Sequence, residues 1–473
     1  MKKPTSLPAL LIALILSFTF VNGIAQLSNL DNFIEDQLET HNIPGLAACV
    51  MKNGAIVWEG AYGFTDLDNN IAVNSQTLFT IASLSKLVAS TAIMQLEESG
   101  QLELDEDVDN YLDFEISNPN FPDEPITIRQ LLRHRSSLKD SESLLFDSWQ
   151  QGDSPIELED YVRDYVSVEG DFFNPAIFNN NTGPGQSTWY SNYGFALLGY
   201  LVETISGMPY HAYCKSAIFE PLCMDHTTFF FSELDASQYA IPHSYSGSNQ
   251  GPLGLYSIAN YPAALLKTNI EDLSHFLIAY TQRGTMDGVS ILSNESVDQL
   301  TPYDFSLPNL GWWNGTSWTY SFYFPDEEVW YHGGFMPGVR ARMNYYPQDS
   351  SGIIILTNGE GQYRYVEDTL QSYIPAFTSV PADTLPCAIS TSFKDSELTA
   401  LDFDFYPNPV SDLIYLDWDL EDWTYLEVRD ITGSLIFRKD AVQRIDCSQL
   451  PSGCYFLTGY CEKGQETRRF VKR

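Results

Sequence analysis

Ser83-Leu84-Ser85-Lys86 stands at the head of an apolar, helix-patterned run, Leu87-Val88-Ala89-Ser90-Thr91-Ala92-Ile93-Met94-Gln95-Leu96. Residues three apart share one face of a helix, so the spacing predicts Lys86 beside the Ser83 hydroxyl. A serine hydroxyl is a weak nucleophile until a base takes its proton. A lysine half-buried among apolar neighbours has its pKa lowered, because desolvation disfavours the charged form. Lys86 is therefore a candidate base and Ser83 a candidate nucleophile. The bland alternative makes Ser83 a helix N-cap and Lys86 a surface lysine, and the tetrad alone does not separate the two.

Two further segments bear on the choice. Tyr190-Ser191-Asn192 precedes a second apolar helical run, Phe195 to Val202, and can bring a proton carrier and an amide to one hydroxyl. His332-Gly333-Gly334 follows the strand-like Val329-Trp330-Tyr331. Glycines there let backbone approach a substrate closely, since they have no side chain to clash. Serine, lysine, tyrosine, asparagine and histidine in this order are the parts of a serine acyl-transfer site. As structural residues, Tyr190 would be core and His332 a satisfied buried histidine. His134 fits a structural role better than a catalytic one.

The chain has 473 residues, room for two or three domains at roughly 100–200 residues each. Lys2 and Lys3, the apolar stretch Leu7 to Val21 and the small residues Gly23-Ile24-Ala25 read as a leader over 1–25, with a mature start near Gln26. The apolar stretch is short for a membrane span of about 20 residues, and no stable span is expected in the mature protein. The formal net charge of -37 argues against nucleic-acid and anionic-membrane partners, which need basic patches. Seven cysteines include no CxxC pair, so a thiolate metal site is not expected. An exported chain can form disulfides. A bridge among Cys447, Cys454 and Cys461 is one possibility, and Cys49 reads as core.

Leu30 to His41 reads as a helix. Leu46 to Met51 and Ala55 to Gly60 read as strands around the hairpin signal Asn53-Gly54. Helical segments follow at Ile128 to Arg133, Pro155 to Tyr165 and Ile270 to Gln282. Strand signals return at Trp330, Val339 to Tyr345 and Ile353 to Thr357. This order predicts an α+β fold: an antiparallel sheet flanked by helices and closed by both ends of a domain over 26–375, with a helical region inserted. Pro375, Pro381 and Pro386 lie among Ser, Thr and Asp, so 376–402 reads as a linker. Short alternating segments between turns make 403–473 a small β-sandwich.

Residues 29 to 375 resemble the serine β-lactamase and penicillin-binding-protein superfamily, in its class C β-lactamase, DD-peptidase and esterase branch. The carrying segments are Ile43-Pro44-Gly45-Leu46, Thr77 to Ala82 before the tetrad, Ile126 to His134, Ile218-Phe219-Glu220-Pro221-Leu222 and Gly288 to Ser293, besides the three motifs. The resemblance implies Ser83 as nucleophile, Lys86 as its activator, Tyr190 as proton shuttle, and Asn192 holding the substrate amide and orienting Lys86. His332 stands where many members have lysine, which weakens the case for binding a substrate carboxylate. The backbone N–H groups of Ser83 and of Phe335, after Gly334, would form the oxyanion hole. Asn358 is a candidate carboxylate binder. Arg340 and Arg342 share one strand face, and the alternatives there are that one meets substrate or makes a surface salt bridge. Asp105 to Asn110 has the look of a calcium loop but lacks its glycine and distal glutamate. Neither metal nor organic cofactor is implied. The substrate is left open between D-amino-acid peptide, β-lactam and small ester, as is a slowly acylating binding protein.

The C-terminal segment resembles the sorting domain of type IX secretion cargo. Phe405-Tyr406-Pro407-Asn408-Pro409-Val410, Val428 to Gly433, Leu450 to Phe456 and the basic end Arg468 to Arg473 carry it. It implies export through the periplasm and the outer membrane, secretion machinery as partner of 403–473, and a secreted or cell-surface location.

Overall fold

The computed structural model describes residues 30–140, 148–245, 251–302, 310, 313–314, 328–375 and 377, and, further on, 404–406, 413–417, 424–430, 435–440, 442, 444–450, 453–461 and 464–472. The leader lies outside them, as does the linker apart from residue 377. The chain divides into two compact units, Met1–Cys387 and Ala388–Arg473.

In the first unit, helix α1 (30–41) leads into β1 (Gly45–Lys52) and β2 (Ala55–Asp66). The turn residues Asn53 and Gly54 have φ of 53° and 79°, the two positive values of a type I′ hairpin. β2 runs past the expected Gly60 to pair with β3 (Ile71–Ala72). The chain then builds a helical region containing α2 (Ser85–Glu98), α3 (Asn192–Ser206) and α4 (Ile270–Thr281). It returns through β4 (Trp313–Asn314), β5 (Trp330–Met336), β6 (Val339–Tyr346) and β7 (Ser351–Thr357), and ends in α5 (Arg364–Tyr373). The sheet order is β4-β5-β6-β7-β1-β2-β3, antiparallel throughout.

Both faces of the central strands are covered, which explains why Leu46 to Met51 and Ile353 to Leu356 are continuously apolar rather than alternating. Ala47, Cys49, Met51, Ile354 and Leu356 join the core of the helical region. Leu46, Ala48, Val50, Ile353 and Ile355 pack with Leu30, Ile34 and Leu38 of α1 and Val366 and Leu370 of α5. The helix expected from Pro155 begins at Leu158.

The described residues of the second unit form two antiparallel sheets. One joins Asp404–Tyr406, Leu413–Asp417 and Arg444–Asp446; the other orders Leu435–Asp440, Tyr425–Asp430, Gly453–Cys461 and Gly464–Lys472. Ile414, Leu416, Leu426, Val428, Ile445, Tyr455 and Leu457 form a core of their own, as in a β-sandwich. Cys447 is buried in it, with Sγ 4.0 Å from Ile445 O; the side chains of Cys454 and Cys461, on which the expected bridge falls, lie outside the described residues. Cys49 and Cys214 are free and buried. Among the described residues no helix is long and apolar enough to cross a membrane.

Candidate active site

The nucleophile candidate does not lie in α2 itself. Ser83 sits on a 3-10 turn, Ala82–Leu84, immediately before it. Ala82 adopts φ 48°, a left-handed conformation that costs a non-glycine residue about 1–3 kcal/mol and marks a position fixed by its surroundings. The tetrad's other serine, Ser85, is fully buried; its Oγ donates to Ala82 O at 2.7 Å and accepts from Leu266 N at 3.0 Å. That leaves Ser83 as the tetrad's available hydroxyl.

Lys86, on the first turn of α2, is fully buried. Its Nζ donates to Asn192 Oδ1 at 2.6 Å and Ala263 O at 2.7 Å, and lies 3.2 Å from Ser83 Oγ. Burial pushes its pKa down to about 7, against the opposing pull of Asp140. Tyr190 Oη lies 2.8 Å from Ser83 Oγ, within hydrogen-bond reach. Burial raises the Tyr190 pKa above the usual phenol range, keeping it a protonated donor. Ser191 caps α3, its Oγ accepting from Gly194 N at 3.0 Å, and this turn separates Tyr190 from Asn192 while bringing both to Lys86.

His134 packs behind Tyr190, with ring centroids 4.5 Å apart. Its Nδ1 accepts from Ser191 N at 3.1 Å, and burial holds its pKa well below the ordinary value. It is a neutral support for the tyrosine. Asp140 was not singled out in the sequence. Its two carboxylate oxygens accept from Asn192 N at 2.7 Å and Asn192 Nδ2 at 2.6 Å.

Strand β5 closes the other side of the site. A Cβ at Gly334 would stand 2.4 Å from Ile81 O and 3.3 Å from Ala82 Cβ, so only glycine allows the strand this close to the nucleophile turn. Phe335 stands on the face of β5 opposite Gly334, its side chain 63% exposed with the Arg340 guanidinium 5.0 Å from its ring.

Two expectations change, those for Asn358 and for the two arginines, and His332 takes the buried place weighed for it. His332 is 2% exposed, and burial together with Lys86 lowers its pKa to about 3, so it is no cation at neutral pH. Asn358 is 1% exposed; its Nδ2 donates to Phe64 O, Thr65 O and Ile241 O, all at 3.1 Å, which ties the end of β7 to β2 instead of facing a ligand. Arg340 and Arg342 share the face opposite Val339, Ala341 and Met343, which belong to the core of the helical region. Arg342 is buried there in an ion pair with Glu367, Nε to Oε1 2.8 Å. In the acidic turn, Asp105 binds Arg129 and Asp107 caps a 3-10 helix. Among the described residues no group of three or more His, Cys, Asp or Glu is placed to hold a metal ion.

Comparison with known proteins gives the same picture of the fold. The model of the beta-lactamase family matches residues 30–373, and that of the secretion system C-terminal sorting domain matches 404–473. Protein flp of Staphylococcus aureus (strain N315) is 27% identical over 343 residues, 71% of this chain and 63% of that protein. The chain thus spans less than two thirds of that relative's length. The octameric penicillin-binding protein homologue of Pyrococcus abyssi superposes with a TM-score of 0.58 at 19% identity, covering 94% of this chain and 90% of its own. A class C beta-lactamase gives 0.58 at 19% identity, covering 73% and 97%.

Proposed function

Since the chain belongs to the beta-lactamase family and carries a sorting domain, we propose that it is an exported serine hydrolase working through an acyl-enzyme on Ser83. The observation that carries the reading is the placement of one serine hydroxyl 2.8 Å from a protonated tyrosine and 3.2 Å from a buried lysine.

The hydrogen bonds of Lys86 support a division of labour. A neutral amine has two N–H bonds and one lone pair. Asn192 Oδ1 and Ala263 O accept the two N–H bonds, so the lone pair points to Ser83 Oγ. Lys86 takes the serine proton as Oγ attacks the carbonyl carbon of an ester or amide. The backbone N–H groups of Ser83 and Phe335 receive the negative oxygen. Tyr190 gives a proton to the leaving alcohol or amine as its bond to the carbonyl carbon breaks. Water then attacks the Ser83 ester, the same groups carry its proton, and the acid is released.

The candidate substrates are a D-amino-acid peptide, a β-lactam and a small acyl ester. A neutral His332 and arginines on the far sheet face favour the ester. The sorting domain indicates export by type IX secretion to the cell surface or the medium. In this reading the basic and apolar residues of 1–25 serve the first membrane crossing. Intact-protein mass spectrometry after incubation with a penicillin, beside turnover of p-nitrophenyl esters, nitrocefin and D-Ala-D-Ala peptides, tests the proposal. An adduct of acyl mass on Ser83 with ester turnover is the expected result. A stable adduct without turnover of any substrate would make it a slowly acylating binding protein.

A further inference from the structure

We infer that Asp140 is a positioning residue: its carboxylate sets the Asn192 amide the right way round and thereby aims the Lys86 amine at Ser83. This rests on the Ser83 acyl-enzyme reading.

An asparagine amide has a donor end and an acceptor end of nearly equal shape, and its neighbours decide which way it faces. A carboxylate only accepts. Asp140 grips Asn192 at two points, backbone N at 2.7 Å and Nδ2 at 2.6 Å, with a different oxygen for each. The nitrogen end of the amide must therefore face Asp140, and the oxygen end must face Lys86 Nζ, 2.6 Å away. Turned round, the amide would present an N–H to the amine and compete with Ser83 for its lone pair. The aim of the lysine thus depends on a residue that touches neither the nucleophile nor the lysine.

Asp140 also acts through its charge. The titratable groups facing Lys86 are Asp140, His134, His332 and Tyr190. Burial keeps the two histidines and the tyrosine uncharged at neutral pH. Asp140 is the one of the four whose charge draws a proton onto Lys86, partly offsetting burial. Replacing it by a neutral residue removes that pull, so the amine is deprotonated at lower pH.

The test is the pH dependence of fluorophosphonate labelling of the full chain, with the labelled serine identified by peptide mass spectrometry. Asp140→Asn should slow labelling of Ser83 by about 10–100-fold, the usual cost of losing an outer-shell partner. The midpoint of the rate-versus-pH curve should move to lower pH. In an Asn192→Ala background most of the rate loss should vanish, since the two residues act in series. Asp140→Ser, which also removes the charge and one acceptor, carries the same prediction should Asp140→Asn not fold. An unmoved midpoint, or a full rate loss persisting without Asn192, reduces Asp140 to packing and overturns the inference. Wild-type protein that is not labelled on Ser83 overturns the acyl-enzyme reading itself, and the inference with it; the two failures appear in different samples.

Discussion

Among the described residues of the first unit two lysines are fully buried, and one of them has a nucleophile in reach. Lys86 and Lys267 are both fully buried, and burial lowers both to about 7. Lys86 Nζ meets a serine hydroxyl, an asparagine oxygen and a carbonyl. Lys267 Nζ donates to Phe229 O at 2.5 Å and lies 4.1 Å from the centre of the Phe231 ring. Asp153 and Glu233 act on it through charge. Desolvation makes a lysine a usable base, but a base needs a proton to take. A perturbed pKa marks a place to look, and geometry decides whether chemistry happens there.

The comparison breaks most readily at the serine. Ser83→Ala should abolish covalent labelling by a penicillin or fluorophosphonate while the circular dichroism spectrum stays as in the wild type. Labelling that survives in the folded variant removes the distinction between the two lysines. Next in size, Lys86→Ala or Tyr190→Phe should lower kcat/KM by about 10²–10⁴, the usual worth of a general acid or base. Lys267→Met should leave it nearly unchanged, and a matching loss there would contradict the contrast.

A smaller effect lies in the pH profile. In the proposed mechanism the working form of Lys86 is neutral, so kcat/KM should rise as pH passes through about 7 and then level off. His332, held near 3, adds no limb between pH 5.5 and 8.5. Carboxylate and ester substrates should therefore give superimposable profiles in initial-rate assays, and a carboxylate-specific loss with rising pH would restore a cationic His332. The smallest effect is on stability. A lysine with a folded pKa of about 7 and an ordinary value of 10.5 binds its proton more readily when unfolded. Its penalty to the fold is therefore complete below about pH 7 and fades as pH rises toward 10.5. Lys267→Met should raise the melting temperature most at low pH, with the gain shrinking above pH 7. A gain independent of pH would mean that the folded protein keeps Lys267 protonated across that range.

Ser83, Lys86, Tyr190 and Asn192 were legible because each belongs to a short segment with a local signature. The hairpin at Asn53-Gly54 was legible for the same reason. Asp140 was not: its partner lies 52 residues away, and a lone aspartate after Leu-Lys carries no pattern. His332 left two readings open, since flanking glycines suit an open strand and only the fold shows that covering elements bury it. Asn358 misled because an amide at a strand end reads alike whether it faces a ligand or three backbone carbonyls. Lys267, in Leu266-Lys267-Thr268, looks like an ordinary polar strand end, and only the fold reveals the burial of its amine.

Gly334 fixes how closely β5 approaches the turn that carries Ser83. The strand and the nucleophile turn are separated by the room one hydrogen atom needs, and a methyl group would collide with Ile81 O at 2.4 Å. The spacing between them is thus a gauge cut into main chain on both sides. Side-chain changes cannot widen or narrow it without shifting a strand paired through β6 to the rest of the sheet.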